Sequence, residues 1–182
     1  MQQRGRRSVS VLTTSRYAAI VGTMALALAC FAPSVAAAAP ADEAAIRALE
    51  DRFITACNAG DINAIMKTYV PDQSLVVFDL APPRQYLGAD AFRKDWVNFL
   101  ASFKGRPKFD ITDLTIAADG NLGFSHSIQR VRGTDTKGQP IDITVRITDG
   151  YRKIGGDWVI VHEHVSVPVD LATGKPDLSS KP

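Results

Sequence analysis

Four long stretches in the second half of the chain alternate apolar and polar residues with a period of two, and this pattern restricts the fold more than any other feature. Turn-forming residues separate the stretches: Asp119-Gly120-Asn121, a loop with Lys137-Gly138, and Gly155-Gly156. Strands joined by such short connections pair antiparallel. The pattern therefore predicts a meander of four strands over residues 108–118, 122–132, 141–153 and 157–167.

Helical patterns precede this meander. A first helix, with Asp42 as the expected N-cap and Asn58-Ala59-Gly60 as its end, carries an apolar stripe of Ile46, Leu49, Phe53 and Ala56. Asp61 is the expected cap of a short second helix, and a short strand follows at residues 74–79. A third helix over residues 89–103 carries an aromatic stripe of Phe92, Trp96, Phe99 and Phe103. These elements predict an α+β domain whose helices cover one face of a curved sheet.

The first 39 residues differ from the rest, because they contain four Arg and no Asp or Glu. Their apolar run, residues 17–31, is shorter than the ~20 residues that span a bilayer, and small residues follow it. This predicts a signal peptide over residues 1–39, cleaved near residues 36–39, and a periplasmic or secreted protein that meets the membrane only during export. Ala27-Leu28-Ala29-Cys30 resembles a lipoprotein box, so a lipid anchor at Cys30 is the alternative.

Without those four Arg, the chain keeps 17 basic and 19 acidic residues, so its basic character gives no support for a nucleic-acid partner. What remains is a single domain, residues 40–169, and a polar C-terminal tail, residues 170–182, expected to be flexible. Cleavage would leave Cys57 alone, which excludes an intramolecular disulfide. Because Cys57 lies beside the apolar stripe of the first helix, a buried and unreactive thiol is expected.

The three histidines, His126, His162 and His164, all fall in predicted strands. Alternation places Trp158, Ile160, His162, His164 and Ser166 on one face of the last strand, and Glu163 among the valines of the other. His162 and His164 could reach one metal ion, with His126 as a third ligand. Such a small ligand set favours structural histidines, so no metal is expected. Motifs for nucleotide, hydrolase and zinc-protease chemistry are absent, and no cofactor is expected.

Several segments together carry a family resemblance: Asn58-Ala59-Gly60-Asp61, Phe78-Asp79-Leu80-Ala81-Pro82-Pro83, Arg146-Ile147-Thr148-Asp149, and residues 86–92 and 156–166. Over residues 41–169 the chain resembles the SnoaL-like, ketosteroid-isomerase-like group of the nuclear transport factor 2-like (NTF2-like) superfamily. The resemblance implies a cone-shaped α+β fold with three N-terminal helices packed on a strongly curved, mainly antiparallel sheet. It also implies an apolar pocket and homodimerisation through the sheet.

The steroid-isomerase mechanism needs a carboxylate base, a Tyr donor in the first helix and a protonated acid. Asp79 is the best candidate base, and Asp110 a candidate second acid. Phe53 is the aromatic residue of the first helix, so the Tyr donor is missing. The resemblance alone does not decide the function, because this fold hosts many.

The leading hypothesis is an exported SnoaL-like domain that binds a small, largely apolar molecule. Asp79 and His126 are the candidate catalytic residues. The candidate ligand-binding residues are Tyr86, Trp96, Arg146, Thr148, Trp158, His162 and His164. One alternative is an acid–base enzyme of the isomerase, cyclase or dehydratase kind that uses Asp79 and a pocket histidine. The other is a dimeric interaction module with a vestigial pocket.

Overall fold

The structure, a computed structural model, describes residues 38–180, which form three helices and six strands. The helices are α1 (Ala38–Ala59), α2 (Ile62–Met66) and α3 (Ala89–Ala101). The strands are β1 (Val76–Phe78), β2 (Tyr86–Leu87), β3 (Lys108–Asp119), β4 (Leu122–Thr134), β5 (Pro140–Ile154) and β6 (Asp157–Ser166). The predicted α+β class is confirmed. The predicted signal peptide, except for its last two residues, lies outside the described residues.

The six strands form one curved, open sheet in the order β2-β1-β6-β5-β4-β3. Strands β3 to β6 pair antiparallel with their sequence neighbours, as the meander prediction requires, whereas β1 joins β6 in parallel. In the β5–β6 turn, Gly155 and Gly156 have φ values of 62° and 98°. Residues with a Cβ rarely adopt such values, so the Gly pair makes this tight hairpin accessible.

The helices cover one face of the sheet, which we call the inner face. The apolar stripe of α1 is buried there, as predicted: Ile46, Leu49, Phe53 and Ala56. The aromatic stripe of α3 supplies Phe92 and Trp96 to the same core, with Phe99 partly buried. Burial of these side chains removes apolar area from water and is the main term that holds helices to sheet.

Cys57 is a free thiol in this core, as expected. Burial, with the neighbouring carboxyl groups of Glu163 and Glu50, raises the pKa of the Cys57 thiol. The prediction of a buried thiol is confirmed, and because a thiol that stays protonated is a poor nucleophile, its unreactivity stays the expectation.

The helix ends confirm one predicted cap and correct another. Asp61 caps α2, because its side chain accepts a hydrogen bond from Ala64 N at 3.0 Å. Asp42 does not cap α1, which begins four residues earlier, at Ala38. The alanines before Asp42 are strong helix formers and extend the helix past it. The Asp42 carboxylate instead accepts hydrogen bonds from Lys153 Nζ at 2.6 Å and from Trp158 Nε1 at 3.2 Å.

A β-bulge in β6 changes which residues face the helices. Tyr151 of β5 lies opposite Ile160, but the next pair is Gly150 with His162, so Val161 is an extra residue. One extra residue reverses the alternation beyond it. The prediction that Trp158, Ile160, His162 and His164 share a face was therefore wrong. Trp158 and Ile160 are buried on the inner face, and so, after the bulge, is Glu163.

None of the helices within residues 38–180 is long and apolar enough to cross a membrane. After β6, the chain returns along β5, where Thr144 N donates a hydrogen bond to the carbonyl oxygen of Leu178 at 2.8 Å. The flexibility of residues 170–182 stays a prediction.

Candidate ligand-binding cavity

A cavity of about 250 Å³ lies between the helices and the inner face of the sheet. Aromatic rings from α1, α3 and β3 line one side: Phe53, Phe92, Trp96, Phe99 and Phe109. Aliphatic side chains from β4, β5 and β6 line the other: Val131, Ile143, Val145, Ile147 and Val165. Ligand sites commonly measure about 300–1,000 Å³, so this cavity suits a small, largely apolar molecule.

The aromatic side of the cavity is rigid because its rings hold one another. Phe92, Trp96 and Phe99 are four and three residues apart on α3, so they project from one side of the helix. The Trp96 ring meets the Phe53 ring edge to face, with centroids 5.8 Å apart, and the Phe99 ring at the same distance. Such pairs favour one arrangement over free rotation, so the cavity is preformed.

Two carboxyl groups lie at the end of the cavity where Leu80 and Ala81 are exposed, and this end is the mouth. Asp79 directly follows β1, and its Oδ1 accepts a hydrogen bond from Leu80 N at 2.6 Å. Asp95 comes from α3, and the Tyr86 hydroxyl donates to its Oδ1 at 2.6 Å. Burial, helped by the carboxyl of Asp95, raises the pKa of Asp79 to about 6. Asp79 therefore titrates near neutral pH.

A third carboxyl group, that of Glu163, lies in the wall of the cavity and is only 4% exposed. The Tyr69 hydroxyl donates a hydrogen bond to Glu163 Oε2 at 2.6 Å. Burial raises the pKa of Glu163 to about 8, against the opposing effect of the Tyr69 hydrogen bond. Glu163 is therefore mainly protonated at pH 7 and offers a hydroxyl donor to the cavity.

Beside Glu163, the inner face carries a buried polar network. Asp149 lies opposite Glu163 on the neighbouring strand, and burial raises its pKa too. The Tyr151 hydroxyl donates to Glu50 Oε1 at 2.7 Å and lies 2.7 Å from Ser125 Oγ. Burial raises the pKa of Glu50 to about 7. Among the described residues, Asp149 Oδ1 has no hydrogen-bond partner. Buried carboxyl groups in this arrangement are most stable when they carry protons.

The sequence that forms this cavity matches a known protein family. The family profile of the SnoaL-like domain matches residues 46–170, more than half of the chain. The chain belongs to the SnoaL-like family. An NTF2-like protein of unknown function from Pseudomonas putida KT2440 is 34% identical to it, with a TM-score of 0.71. That match covers 79% of this chain and 98% of the Pseudomonas chain. The predicted SnoaL-like, NTF2-like membership is confirmed.

Two more distant structures share the fold of this SnoaL-like protein. A ketosteroid isomerase-like protein from Erwinia carotovora atroseptica is 20% identical, with a TM-score of 0.59, over 69% of this chain and 95% of its own. An NTF2-like superfamily protein from Salmonella enterica is 15% identical, with a TM-score of 0.66, over 76% of this chain and 99% of its own. Identities this low establish the fold alone. No curated protein matches the chain.

Four of the predicted site residues of the SnoaL-like protein lie on the outer face of the sheet, away from the cavity. His126 of β4, Thr148 of β5 and His164 of β6 form one row across neighbouring strands, and Arg146 lies on the same face. All four side chains are exposed. The structure brings them together, but on the face opposite the helices, so the prediction that they line the pocket is corrected. The bulge at Val161 accounts for the placement of His164.

The other predicted residues divide between the cavity and its surroundings. Asp79 and Trp96 line the cavity, as expected for site residues, and Tyr86 reaches it through its hydrogen bond to Asp95. Trp158 is not part of the cavity wall, because it packs against the start of α1 and donates to Asp42. His162 is partly buried on the outer side, where its Nδ1 lies 2.9 Å from the carbonyl oxygen of Val76.

The candidate second acid, Asp110, is paired with cations and lies outside the cavity. Arg132 Nη2 donates a hydrogen bond to Asp110 Oδ2, and Lys108 Nζ lies 3.2 Å from Oδ1. These partners lower the pKa of Asp110, so it is not a protonated donor. Glu163, with its raised pKa, has the protonated state that was expected of Asp110 as the second acid. Within residues 38–180 no cluster of His, Cys, Asp or Glu has the arrangement of a metal site.

Sequence reasoning missed Glu163, Asp95 and Gln129 as cavity residues. For Glu163 a signal existed, because it stands in a run of valines where an ordinary surface acid is out of place. Asp95 directly precedes Trp96 on a helix and carries no signal of its own. Gln129 was missed because the strand pattern alone did not show which face of β4 the helices cover.

Proposed function

We propose that the SnoaL-like domain binds a small, largely apolar molecule in this cavity. The supporting observation is a preformed cavity of about 250 Å³ whose walls are mainly aromatic and aliphatic, with carboxyl groups at two defined places. Apolar walls supply most of the binding free energy, and a few polar groups orient the ligand. Glu163 donates a hydrogen bond to a ligand oxygen, and Asp79 and Asp95 accept hydrogen bonds at the mouth.

A thermal-shift panel of small aromatic and aliphatic compounds tests this proposal. A ligand at a hundred times its Kd adds about 2.7 kcal/mol of stability, a shift of several degrees. Val145→Phe should abolish the shift by filling the cavity, at a cost in stability of about 1–3 kcal/mol. Val97→Phe is the matched control, because Val97 is exposed on α3. Compounds that stabilise both variants equally bind elsewhere, and that result contradicts the proposal.

We propose proton-transfer catalysis as the second candidate function, because two carboxyl groups in unlike environments line the same cavity. With a pKa of about 6, Asp79 is mainly a carboxylate at pH 7, whereas Glu163, at about 8, is mainly a carboxylic acid. Pairs of acids held in opposite protonation states divide the roles of base and acid. Asp79 removes a proton from the carbon beside a ligand carbonyl, and Glu163 gives a proton to the carbonyl oxygen, which yields an enol.

Exchange of the ligand α-proton in D₂O, followed by NMR, measures this step directly. Asp79→Asn and Glu163→Gln should each slow the exchange by about 10²–10⁴-fold while the ligand still binds. His126→Gln is the control, because its side chain lies on the outer face. Binding without any catalysed exchange leaves the domain a binding protein and removes the enzyme hypothesis.

We further propose that the outer face of the sheet contacts a second copy of the chain. Phe124 is 52% exposed there, and Phe78, 37% exposed, packs edge to face on His162 and His164. Light scattering should show a dimer that Phe124→Glu dissociates and Val97→Glu, on α3, leaves intact. A monomeric wild-type protein contradicts this proposal. A dimer that binds none of the panel compounds favours the interaction module with a vestigial pocket.

Export is proposed on the N-terminal sequence alone. Expression of the full chain in a Gram-negative host, followed by fractionation and intact mass measurement, should yield a periplasmic protein that begins near residues 37–40. An acylated protein beginning at Cys30 would instead establish the lipid anchor, and an intact N-terminus in the cytoplasm would overturn the export proposal.

A further inference from the structure

The cavity wall is charged with one sign only. Sixteen residues line it, and the acids among them are Asp79, Asp95 and Glu163. Glu163 is mainly protonated at pH 7, so the negative charge of the cavity lies at its mouth, where Asp79 and Asp95 stand. No Lys, Arg or His occurs among these sixteen residues of the described chain. An anionic ligand would therefore meet like charges and no cationic partner inside the cavity.

The carboxyl groups at the mouth also lack a cationic partner within the part of the chain that the structure describes. The ion pairs formed within residues 38–180 join Lys108 and Arg132 to Asp110, Arg130 to Asp142, and Lys153 to Asp42. None of them includes Asp79, Asp95 or Glu163. Partly buried acids are usually paired with a cation, so the mouth is short of positive charge.

Aromatic rings stand next to this negative mouth. Asp95 directly precedes Trp96 on α3, and Phe92 and Phe99 lie on the same side of the helix. The faces of aromatic rings attract cations, most strongly in sites from which water is excluded. Carboxylates beside aromatic rings are the combination that recognises an organic ammonium group.

We propose that the cavity selects small apolar amines: the hydrocarbon part lies among the rings and valines, and the protonated nitrogen lies between Asp79 and Asp95. This inference rests on the proposed binding function and narrows it to one ligand class. A carboxylate of the same size is excluded, because it would add a further negative charge without a partner. A neutral alcohol of the same size binds with intermediate affinity, since it can donate one hydrogen bond to either acid.

A matched series of three compounds tests this selectivity: 2-phenylethylamine, 2-phenylethanol and phenylacetate share a ring and differ in the polar group. Titration of the full chain at pH 7.5, by calorimetry or NMR, should rank the amine first and the carboxylate last. We expect the amine to bind at least about tenfold more tightly than the alcohol, a difference of 1.4 kcal/mol.

Two variants test the assigned carboxyl groups, and either suffices if the other fails to fold. Asp79→Asn and Asp95→Asn should each weaken amine binding by about tenfold and leave alcohol binding unchanged. Asp90→Asn is the matched control, because Asp90 is exposed in the first turn of α3 and lies outside the cavity.

The outcomes separate this inference from the proposed function. Equal or tighter binding of the alcohol or the carboxylate, competed by other cavity ligands, overturns the amine preference and keeps the binding function. Unchanged amine affinity in both variants also overturns the preference. Failure of all three compounds to bind, while a compound of the thermal-shift panel binds in the cavity, overturns the amine preference alone. Failure of every panel compound as well overturns both.

Discussion

Glu163 shows at the scale of one residue how burial changes the chemistry of a side chain. It is held in the sheet by a hydrogen bond from Tyr69 and faces the cavity among apolar neighbours. An exposed glutamate is a carboxylate at neutral pH, whereas this one keeps its proton until about pH 8. Its environment, and not its residue type, makes it a hydrogen-bond donor.

Glu163→Gln should leave stability at pH 4 almost unchanged and increase it at pH 9. The amide keeps the shape and accepts the Tyr69 hydrogen bond, but it cannot ionise in the core. Because the unfolded Glu163 ionises near pH 4.5 and the folded one near pH 8, the gain at pH 9 should be on the order of 5 kcal/mol, measured by urea denaturation at both pH values. Glu43→Gln, on the part-buried edge of α1, is the control, and an equal gain there would contradict this assignment.

At the scale of the element, the bulge in β6 decides the composition of the site. Trp158 and Ile160 precede it and face the helices, and if Val161 took a regular place in the alternation, Glu163 would turn to the outer face. The bulge thus places Trp158 and Ile160, which precede it, and Glu163, which follows it, on the same face of one strand. Strict alternation would place Glu163 on the opposite face from Trp158 and Ile160.

Deletion of Val161 should preserve the fold. The shortened strand pairs with β5 without a bulge and still turns Ile160 inward, His162 outward and Glu163 inward. The change in the free energy of unfolding should therefore stay within about 1–3 kcal/mol, and deletion of Lys137, in the exposed β4–β5 loop, is the control. Thermal unfolding followed by circular dichroism measures both variants, and loss of the cooperative transition in the Val161 deletion alone would contradict this register.

For the whole molecule, the buried carboxyl groups set the pH dependence of stability. Burial raises the pKa values of Glu50, Asp149 and Glu163 above those of an unfolded chain. Between about pH 4.5 and pH 8, the folded state therefore holds more protons than the unfolded state. Stability must fall as pH rises through this window, because the unfolded state loses its protons first.

The free energy of unfolding should accordingly be higher at pH 5.5 than at pH 8, by a few kcal/mol. Domains that are stabilised by ion pairs of ionised acids show the opposite trend: their free energy of unfolding falls as the pH falls, since protonation of the acids breaks the ion pairs. Chemical denaturation across this pH range measures the slope. The Glu163→Gln variant should show a shallower one, and a stability that rises with pH would contradict the protonated network.

Prediction from sequence succeeded where local chemistry decides the outcome. The apolar spacing of α1 and α3, the Asp61 cap and the glycine turns of the meander depend on residues within one or two turns of each other. The prediction that Asp42 caps α1 was wrong for a local reason too. The alanines before Asp42, which extend α1 to Ala38, were interpreted as part of a cleavage site and not as helix.

The sequence by itself determined the α+β class, the family, the order of the elements and the apolar stripes, because those follow from spacing and turn chemistry along the chain. Only the tertiary structure decided which strand face is covered, that Glu163 and Asp95 meet Asp79 in one cavity, and that His126, Arg146 and His164 stay outside. The physical reason is that a single bulged residue, Val161, reverses the faces of a strand. Its presence depends on how β6 pairs with β5, which no local pattern records.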